Sequence, residues 1–74
     1  MAIIKNIKIE GDFITLGQFL KAADIISSGG EAKGFLLNNK VLINKEEDRR
    51  RGRKLYDNDI LEINKKRYLI KHEN

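Results

Sequence analysis

The residues of this chain that could do chemistry are concentrated in one basic segment. Residues 40–54 carry seven basic and three acidic side chains, a net charge of +4, which equals the net charge of the whole 74-residue chain. Arginine suits phosphate because its planar guanidinium presents a fork of donors, and it can also stack on unpaired bases. Several such contacts release counterions from a polyanion. The seven bases are Lys40, Lys45, Arg49, Arg50, Arg51, Arg53 and Lys54.

Catalytic chemistry has little support in the sequence. The chain has no cysteine and one histidine, His72, which lies two residues from the C-terminal Asn74, where fraying is expected. No His, Cys or carboxylate cluster has metal-ligand spacing, and a Ser-His-Asp arrangement would have to recruit that terminal histidine. We therefore expect a protein that is not an enzyme, binds no metal or cofactor and takes no small-molecule substrate.

Length and composition favour one small folded domain spanning residues 1–74. Hydrophobic residues make up 41% of the chain and charged residues 35%, as in ordinary globular domains. No apolar run approaches the roughly 20 residues that cross a bilayer, and the N-terminus lacks a signal-peptide layout. The absence of cysteine favours a reducing compartment. These features predict a cytoplasmic protein with no membrane partner.

The first half of the chain changes from a strand pattern to a helix pattern. Alternation over residues 3–10 predicts a half-buried strand. The next apolar residues recur at helical spacing, and Thr15 with Gln18 fits a capping box at the start of that helix. We expect the helix to end near Ile25–Ile26. Its apolar stripe consists of Leu16, Phe19, Leu20 and Ala23.

The segment Ser27–Gly30 has two interpretations. One is a tight turn between helices, in which glycine supplies positive φ and Ser28 caps the next helix against Glu31. The other is a phosphate site formed by backbone N–H groups at a helix N-terminus. No Gly-Lys-Ser/Thr follows, so the segment is not a P-loop, and the turn is the preferred interpretation.

A second helix is predicted over about residues 30–38, too short to persist without packing on the first. Its apolar face carries Ala32, Phe35 and Leu36, and Asn38–Asn39 suits a left-handed end. The remaining segments predict strands at Val41–Ile43, Ile60–Ile63 and Arg67–Ile70. The fold class is α+β, with two packed short helices on one side of a small, mostly antiparallel sheet.

Turns separate these strands. Turn chemistry occurs at Asn44–Lys45, at Asp57–Asp59 and at residues 64–66, the last closing a hairpin. Gly52 predicts a bulge or bend that directs Arg53–Lys54 away from the preceding arginines. The acids of residues 46–48 either pair with the arginines in a hairpin or reduce repulsion within the patch.

The charge pattern leaves several partners open. Nucleic acid is the partner that fits the patch best, and an acidic protein is the second interpretation. Binding to a membrane surface, or a patch with no partner, is the third. The chain has two tyrosines, three phenylalanines and no tryptophan, so nothing indicates a row of rings for single-stranded nucleic acid. Recognition of folded RNA through shape and phosphate is the better match.

Three motifs resemble a known family. They are Leu16-x-x-Phe19-Leu20-Lys21, Ser28-Gly29-Gly30-Glu31-Ala32-Lys33 and Val41-x-Ile43-Asn44. Together they resemble the RNA-binding domain named after the fourth protein of the small ribosomal subunit, the S4-type domain, over about residues 14–63. The variant with Ser28–Lys33 and the later Arg-Arg-Arg-Gly-Arg-Lys-Leu is similar to small stand-alone bacterial members (the YaaA/YbcJ-like group).

The resemblance implies the αL-motif RNA-binding fold and binding to structured RNA, either ribosomal or transfer RNA. It also implies ribosomal particles as partners, with a role in ribosome assembly. The implied contacts lie on the helix pair and the adjoining strand and loop. Thr15 and Gly29 replace basic residues of the family pattern. We therefore expect the loop of residues 49–54 to contribute more to RNA binding than the helices do. The implied contact residues are Lys21, Lys33, Lys40, Asn44, Lys45, Arg49, Arg50, Arg51, Arg53 and Lys54.

A charge-reversal experiment follows from this assignment. If the chain binds folded RNA through this loop, Arg50→Glu with Arg53→Glu should abolish RNA binding and leave thermal unfolding nearly unchanged.

Overall fold

A computed structural model describes residues 5–72 of the chain. Within that range two strands precede two short helices, and five strands follow them. The helices are α1 (Leu16–Ala22) and α2 (Ala32–Asn38), and a 3-10 turn (Gly29–Glu31) precedes α2. The strands are β1 (Lys5–Ile9), β2 (Ile14–Thr15), β3 (Val41–Ile43), β4 (Glu46–Glu47), β5 (Lys54–Leu55), β6 (Ile60–Ile63) and β7 (Lys66–His72).

Five strands form the main sheet in the order β1-β7-β6-β3-β4, and β2 pairs with β5 separately. All pairs are antiparallel except β1 with β7, where Ile7 lies opposite Ile70. The predicted α+β class, with a mostly antiparallel sheet, is confirmed. The alternation that predicted a first strand also holds over residues 5–9, where Ile7 and Ile9 are buried; residues 3 and 4 lie outside the described range.

The core lies between the helices and one face of the main sheet. Its buried residues form one cluster, to which all four residues of the predicted α1 stripe contribute. The sheet supplies alternate residues, because successive side chains of a strand point to opposite faces. Those of the central strands are Val41, Ile43, Leu61, Ile63, Tyr68 and Ile70.

The capping box predicted for α1 is confirmed. The amide of Gln18 donates to Thr15 Oγ1 at 3.2 Å, and the amide of Thr15 donates to Gln18 Oε1 at 3.0 Å. The predicted end near Ile25–Ile26 is wrong, since α1 ends at Ala22. Asp24 adopts φ 63°, and the amides of Asp24 and Ile25 donate back to the carbonyls of Lys21 and Leu20. This is a Schellman motif with aspartate in place of glycine.

Glu31 closes the turn between the helices. Its Oε2 accepts from the amides of Ser27 at 3.0 Å and Ser28 at 2.9 Å, which confirms the predicted partnership of Ser28 with Glu31. The expected positive φ at glycine is wrong here, because Gly11 is the only glycine between residues 5 and 72 with positive φ. A carboxylate of the chain itself therefore occupies the amides of Ser27 and Ser28, two of the N–H groups that the phosphate interpretation would have used.

The left-handed end predicted at Asn38–Asn39 is also wrong. Asn39 is extended, with φ −135°. The side-chain amides of Asn38 and Asn39 instead donate to the carbonyls of Gly34 at 2.9 Å and Phe35 at 3.0 Å. These bonds add side-chain donors to two carbonyls of α2 and hold both asparagines against the end of the helix.

Two hairpin turns have the same asparagine-lysine sequence. Asn44 and Lys45 connect β3 to β4 with φ 51° and 72°, and Asn64 and Lys65 connect β6 to β7 with φ 51° and 69°. Two consecutive residues at positive φ are typical of a type I′ turn. The turns predicted at these positions are confirmed, as is the turn at Asp57–Asp59, where Asn58 has φ 74°. No helix in residues 5–72 is long and apolar enough to cross a membrane.

Candidate nucleic-acid interface

The segment between β4 and β5, residues 48–53, is named here the arginine loop. Its backbone is attached to the start of α1. The amide of Leu16 donates to the carbonyl of Arg53 at 2.8 Å, and the amide of Gly17 donates to that of Arg51 at 2.8 Å. The first N–H groups of a helix lack intrahelical partners, so the loop supplies acceptors that α1 needs. The arginine loop is therefore part of the folded structure.

Asp48 organises two of the arginines from within the loop. Only 9% of this residue is exposed. Its carboxylate accepts from the Arg50 amide at 2.8 Å, from Arg50 Nε at 3.1 Å and Nη2 at 2.8 Å, and from Arg53 Nη1 at 2.9 Å. Hydrogen bonds from the Arg50 side chain hold the pKa of Asp48 well below its usual range, against the opposing effect of burial.

The other acids of the segment are placed differently. Glu46 and Glu47 form β4, which pairs with β3. Glu47 Oε2 also accepts from Arg49 Nε at 3.0 Å. Of the two interpretations of these acids, the hairpin with the arginines is therefore wrong, although side-chain ion pairs do form between them. The predicted bend at Gly52 is present as a turn, in which the Arg53 amide donates to the Arg50 carbonyl at 3.0 Å.

Arg51 differs from its neighbours, because its side chain has no ion pair or hydrogen bond with any residue between positions 5 and 72. It lies between two open clefts. One, of about 320 Å³, separates the loop from α2, and the other, of about 430 Å³, separates it from α1 and the 3-10 turn. The first is lined by Lys33, Leu36, Leu37, Arg49 and Arg51. The second is lined by Thr15, Gly17, Gln18, Lys21, Gly29, Ala32, Arg51 and Gly52.

A third cleft, of about 460 Å³, continues past Gly52 to the start of the small sheet. It is lined by Arg50, Gly52, Arg53, Lys54 and Tyr56. Arg51 lines the first and second clefts and Gly52 lines the second and third, so the three clefts form one continuous surface, named here the basic face. Seven of the ten predicted contact residues line it: Lys21, Lys33, Arg49, Arg50, Arg51, Arg53 and Lys54. A surface of this charge and extent is suited to a polyanion.

Comparison with known proteins decides the family. The sequence matches the S4 domain over residues 7–71. The chain belongs to the S4 domain family. A similar curated protein is the "Probable ribosome maturation protein RlbA" of Bacillus subtilis (strain 168), 61% identical over 57 residues, which are 77% of this chain and 80% of that protein. No solved structure matches the chain with significance. The resemblance inferred from the three motifs is therefore confirmed.

The other three predicted contacts lie apart from the basic face of this S4 domain. Lys40 and Lys45 line separate clefts on the outer side of the sheet, both shared with Glu62. The side chain of Asn44 is used within the fold: its Nδ2 donates to Asp59 Oδ1 at 3.0 Å, and its Oδ1 accepts from the Ile60 amide at 3.0 Å. Contacts between these residues and RNA remain predictions.

Sequence reasoning missed an aromatic pair at the edge of the basic face. Phe13 and Tyr56 are 41% and 48% exposed, with ring centroids 6.1 Å apart and planes tilted by 53°. They meet because β2 and β5 pair with Ile14 opposite Leu55, which places the flanking residues side by side. Strands of two residues have no detectable periodicity, so the sequence contains no signal for this pairing. In the part of the chain that the structure describes, no group of three potential metal ligands occurs.

Proposed function

We propose that this S4-domain protein binds structured RNA, without catalysing a reaction, through phosphate contacts along the basic face. The observation that carries the proposal is the position of Arg51. Its guanidinium has no acidic partner among the described residues and lies between two clefts, with Lys33 and Arg49 on one side and Lys21 on the other. A phosphate backbone in either cleft can meet cations from both the helices and the loop.

The acids near the loop are compatible with this function. They hold arginines in place, and residues 40–54 still carry a net charge of +4. Arg50 uses Nε and Nη2 on Asp48, while its side chain is 74% exposed. A guanidinium has five N–H donors, so donors remain for a ligand. Side chains already ordered in the unbound protein lose less conformational entropy on binding.

The RNA we propose is ribosomal RNA within a particle under assembly, with transfer RNA as the other structured RNA to be compared. The name of the Bacillus subtilis relative refers to ribosome maturation, and 61% identity over most of both chains supports a shared role. The cytoplasmic location expected from the sequence is compatible with that role and stays a prediction.

Binding titrations test the proposal. The protein is titrated against total ribosomal RNA, transfer RNA and duplex DNA, from low to physiological salt. We expect a preference for ribosomal RNA that persists at physiological salt. Equal binding to all three that disappears with salt would contradict the proposal, since it would show only a general cationic surface. An acidic protein partner, the alternative interpretation of the patch, would then be sought by co-purification.

A further inference from the structure

We propose that Tyr56 is a stacking site for one unpaired base of the bound RNA, at the end of the basic face. The inference rests on the proposed function and deepens it, because it requires an RNA in which a helix is interrupted by a bulge, loop or end. Bases in such positions are recognised by stacking on aromatic side chains, whereas bases within an A-form helix are not accessible in this way.

The exposure of the two rings is the first observation. Aromatic side chains contribute large apolar areas, and a small domain gains stability by burying them. The other aromatic residues, Phe19 and Tyr68, form an edge-to-face pair in the core with centroids 5.4 Å apart, and Phe35 packs against that core. Only Phe13 and Tyr56 leave about half of their surface exposed.

The contacts of Phe13 distinguish the two rings. Lys54 Nζ lies over the Phe13 ring, 4.8 Å from its centroid, and the Tyr56 ring packs against the same ring in a tilted arrangement. Phe13 is thus already engaged by two neighbours and supports Tyr56. The Tyr56 side chain makes no hydrogen bond with any other residue that the structure describes, and Phe13 is its one ring contact there.

Tyr56 is also held in place through its backbone. Its amide donates to Asp59 Oδ2 at 2.7 Å, and its carbonyl accepts from the Asp59 amide at 3.0 Å. The other carboxylate oxygen of Asp59 accepts from Asn44 Nδ2. These hydrogen bonds fix the Tyr56 backbone, and the contact with Phe13 restrains its ring. A restrained ring loses little entropy when a base stacks on it.

Basic side chains line the same cleft as the Tyr56 ring. Tyr56 lines the third cleft with Arg50, Arg53 and Lys54. A base on Tyr56 would keep its own phosphate groups beside these cations. The combination of an aromatic platform and a basic groove is the arrangement by which proteins bind unpaired nucleotides.

Two RNA hairpins with identical stems, each closed by a hexaethylene glycol linker so that the loop contains no bases, test the inference. One is fully paired, and the other carries a bulge of unpaired adenines, one replaced by 2-aminopurine, whose fluorescence falls on stacking. We expect the wild-type protein to prefer the bulged hairpin and to quench its fluorescence. Tyr56→Leu should reduce affinity for the bulged hairpin roughly tenfold, without changing affinity for the paired one, and should remove the quenching.

Tyr56→Phe is the matched control, because it retains the ring and removes only the hydroxyl. It should bind and quench like the wild type. Equal wild-type affinity for the two hairpins, without quenching, would overturn the stacking site even if Tyr56→Leu failed to fold. The same holds if folded Tyr56→Leu behaved like the wild type. Failure of the wild type to bind either hairpin or ribosomal RNA would instead overturn the proposed function, and the two failures are therefore distinguishable.

Discussion

The amide of Gly17 donates a hydrogen bond of 2.8 Å to the carbonyl of Arg51, and this bond joins the first turn of α1 to the centre of the basic face. The two backbones are close enough for side-chain size to matter. A Cβ atom at position 17 would lie 3.4 Å from the Arg51 carbonyl oxygen and 3.5 Å from Arg51 Cβ, in ordinary contact. A longer side chain would have to displace Arg51 or Ala32.

Substitutions of Gly17 can therefore distinguish a small side chain, which fits beside Arg51, from a large one, which does not. Gly17→Ala should retain RNA affinity, whereas Gly17→Leu should weaken it by displacing the arginine loop. Leucine and alanine both favour helix over glycine, so helix propensity cannot explain a loss in the leucine variant. Affinity for ribosomal RNA and thermal unfolding should be measured for both variants. Equal affinities for the two variants would show that the loop position does not matter for binding.

The ion pairs of buried Asp48 should make the stability of the protein depend on pH. The pKa of Asp48 in the folded protein lies below its ordinary value of 3.8, so the unfolded chain takes up this proton first as pH falls. The stabilisation is complete above about pH 5 and is lost as the pH falls through 3.8 towards the folded pKa. Asp48→Asn should lower the free energy of unfolding by about 2 kcal/mol at neutral pH.

Urea denaturation of the wild type and Asp48→Asn between pH 7 and about pH 2 checks this prediction. The difference between the two proteins should shrink as the solution becomes acidic. Glu46→Gln, at an exposed carboxylate for which residues 5–72 provide no ion pair, is the control and should have little effect. A difference between wild type and Asp48→Asn that stays constant with pH would contradict the role given to the carboxylate.

The same carboxylate shows where sequence reasoning stops. The basic residues of the loop and their relation to the helix pair followed from composition and from three motifs. The sequence did not indicate which arginines are paired. Residues 48, 50 and 53 come together only through the turn at Gly52 and the attachment of the loop to α1. The proposed double reversal of Arg50 and Arg53 is therefore a poor test, since it would leave buried Asp48 unpaired beside two new acids.

The helix ends show the same limit at smaller scale. The start of α1 depends on Thr15 and Gln18, three residues apart, and local chemistry predicted it. Its end depends on Asp24 in a left-handed conformation that non-glycine residues seldom adopt, and the burial of Ile26 in the core stabilises that reversal. The pairing of β1 with β7 joins residues more than sixty positions apart. Neither feature has a local signal.

Arg51→Ala and Arg53→Ala should differ in a defined way. Loss of Arg51 should weaken RNA binding and reduce the salt slope by about one, because one phosphate contact is removed. The Arg51→Ala variant should unfold at the same temperature as the wild type, since the Arg51 side chain pairs with no other described residue. Arg53→Ala should also lower stability, because Arg53 is 30% exposed and pairs with Asp48.

Salt-dependent titrations and thermal unfolding of both variants check this difference. Lys8→Ala, at an exposed position of β1 that lines none of the three clefts of the basic face, is the control for general loss of charge. If Lys8→Ala weakened binding as much as Arg51→Ala, the effect would come from net charge and not from the basic face.

The two asparagine-lysine turns provide a test of Lys45 as an RNA contact. Lys45 and Lys65 occupy equivalent positions with φ 72° and 69°, a conformation that costs a non-glycine residue about 1 kcal/mol. Asn-Gly is the favoured sequence for this turn. Lys45→Gly and Lys65→Gly should therefore each stabilise the protein, by somewhat less than 1 kcal/mol after the greater flexibility of the unfolded chain is included.

Their effects on RNA affinity should separate if Lys45 touches RNA. Lys45→Gly would then weaken binding and lower the salt slope, while Lys65→Gly, with the same loss of charge and the same relief of strain, would not. Filter binding to ribosomal RNA at several salt concentrations, with thermal unfolding of both variants, measures the two effects independently. Equal affinities for the two variants would assign Lys45 to the turn alone. Lys45 would then join Asn44 as a residue that holds the β3–β4 hairpin, and Lys40 would be the one predicted contact outside the basic face still to be tested.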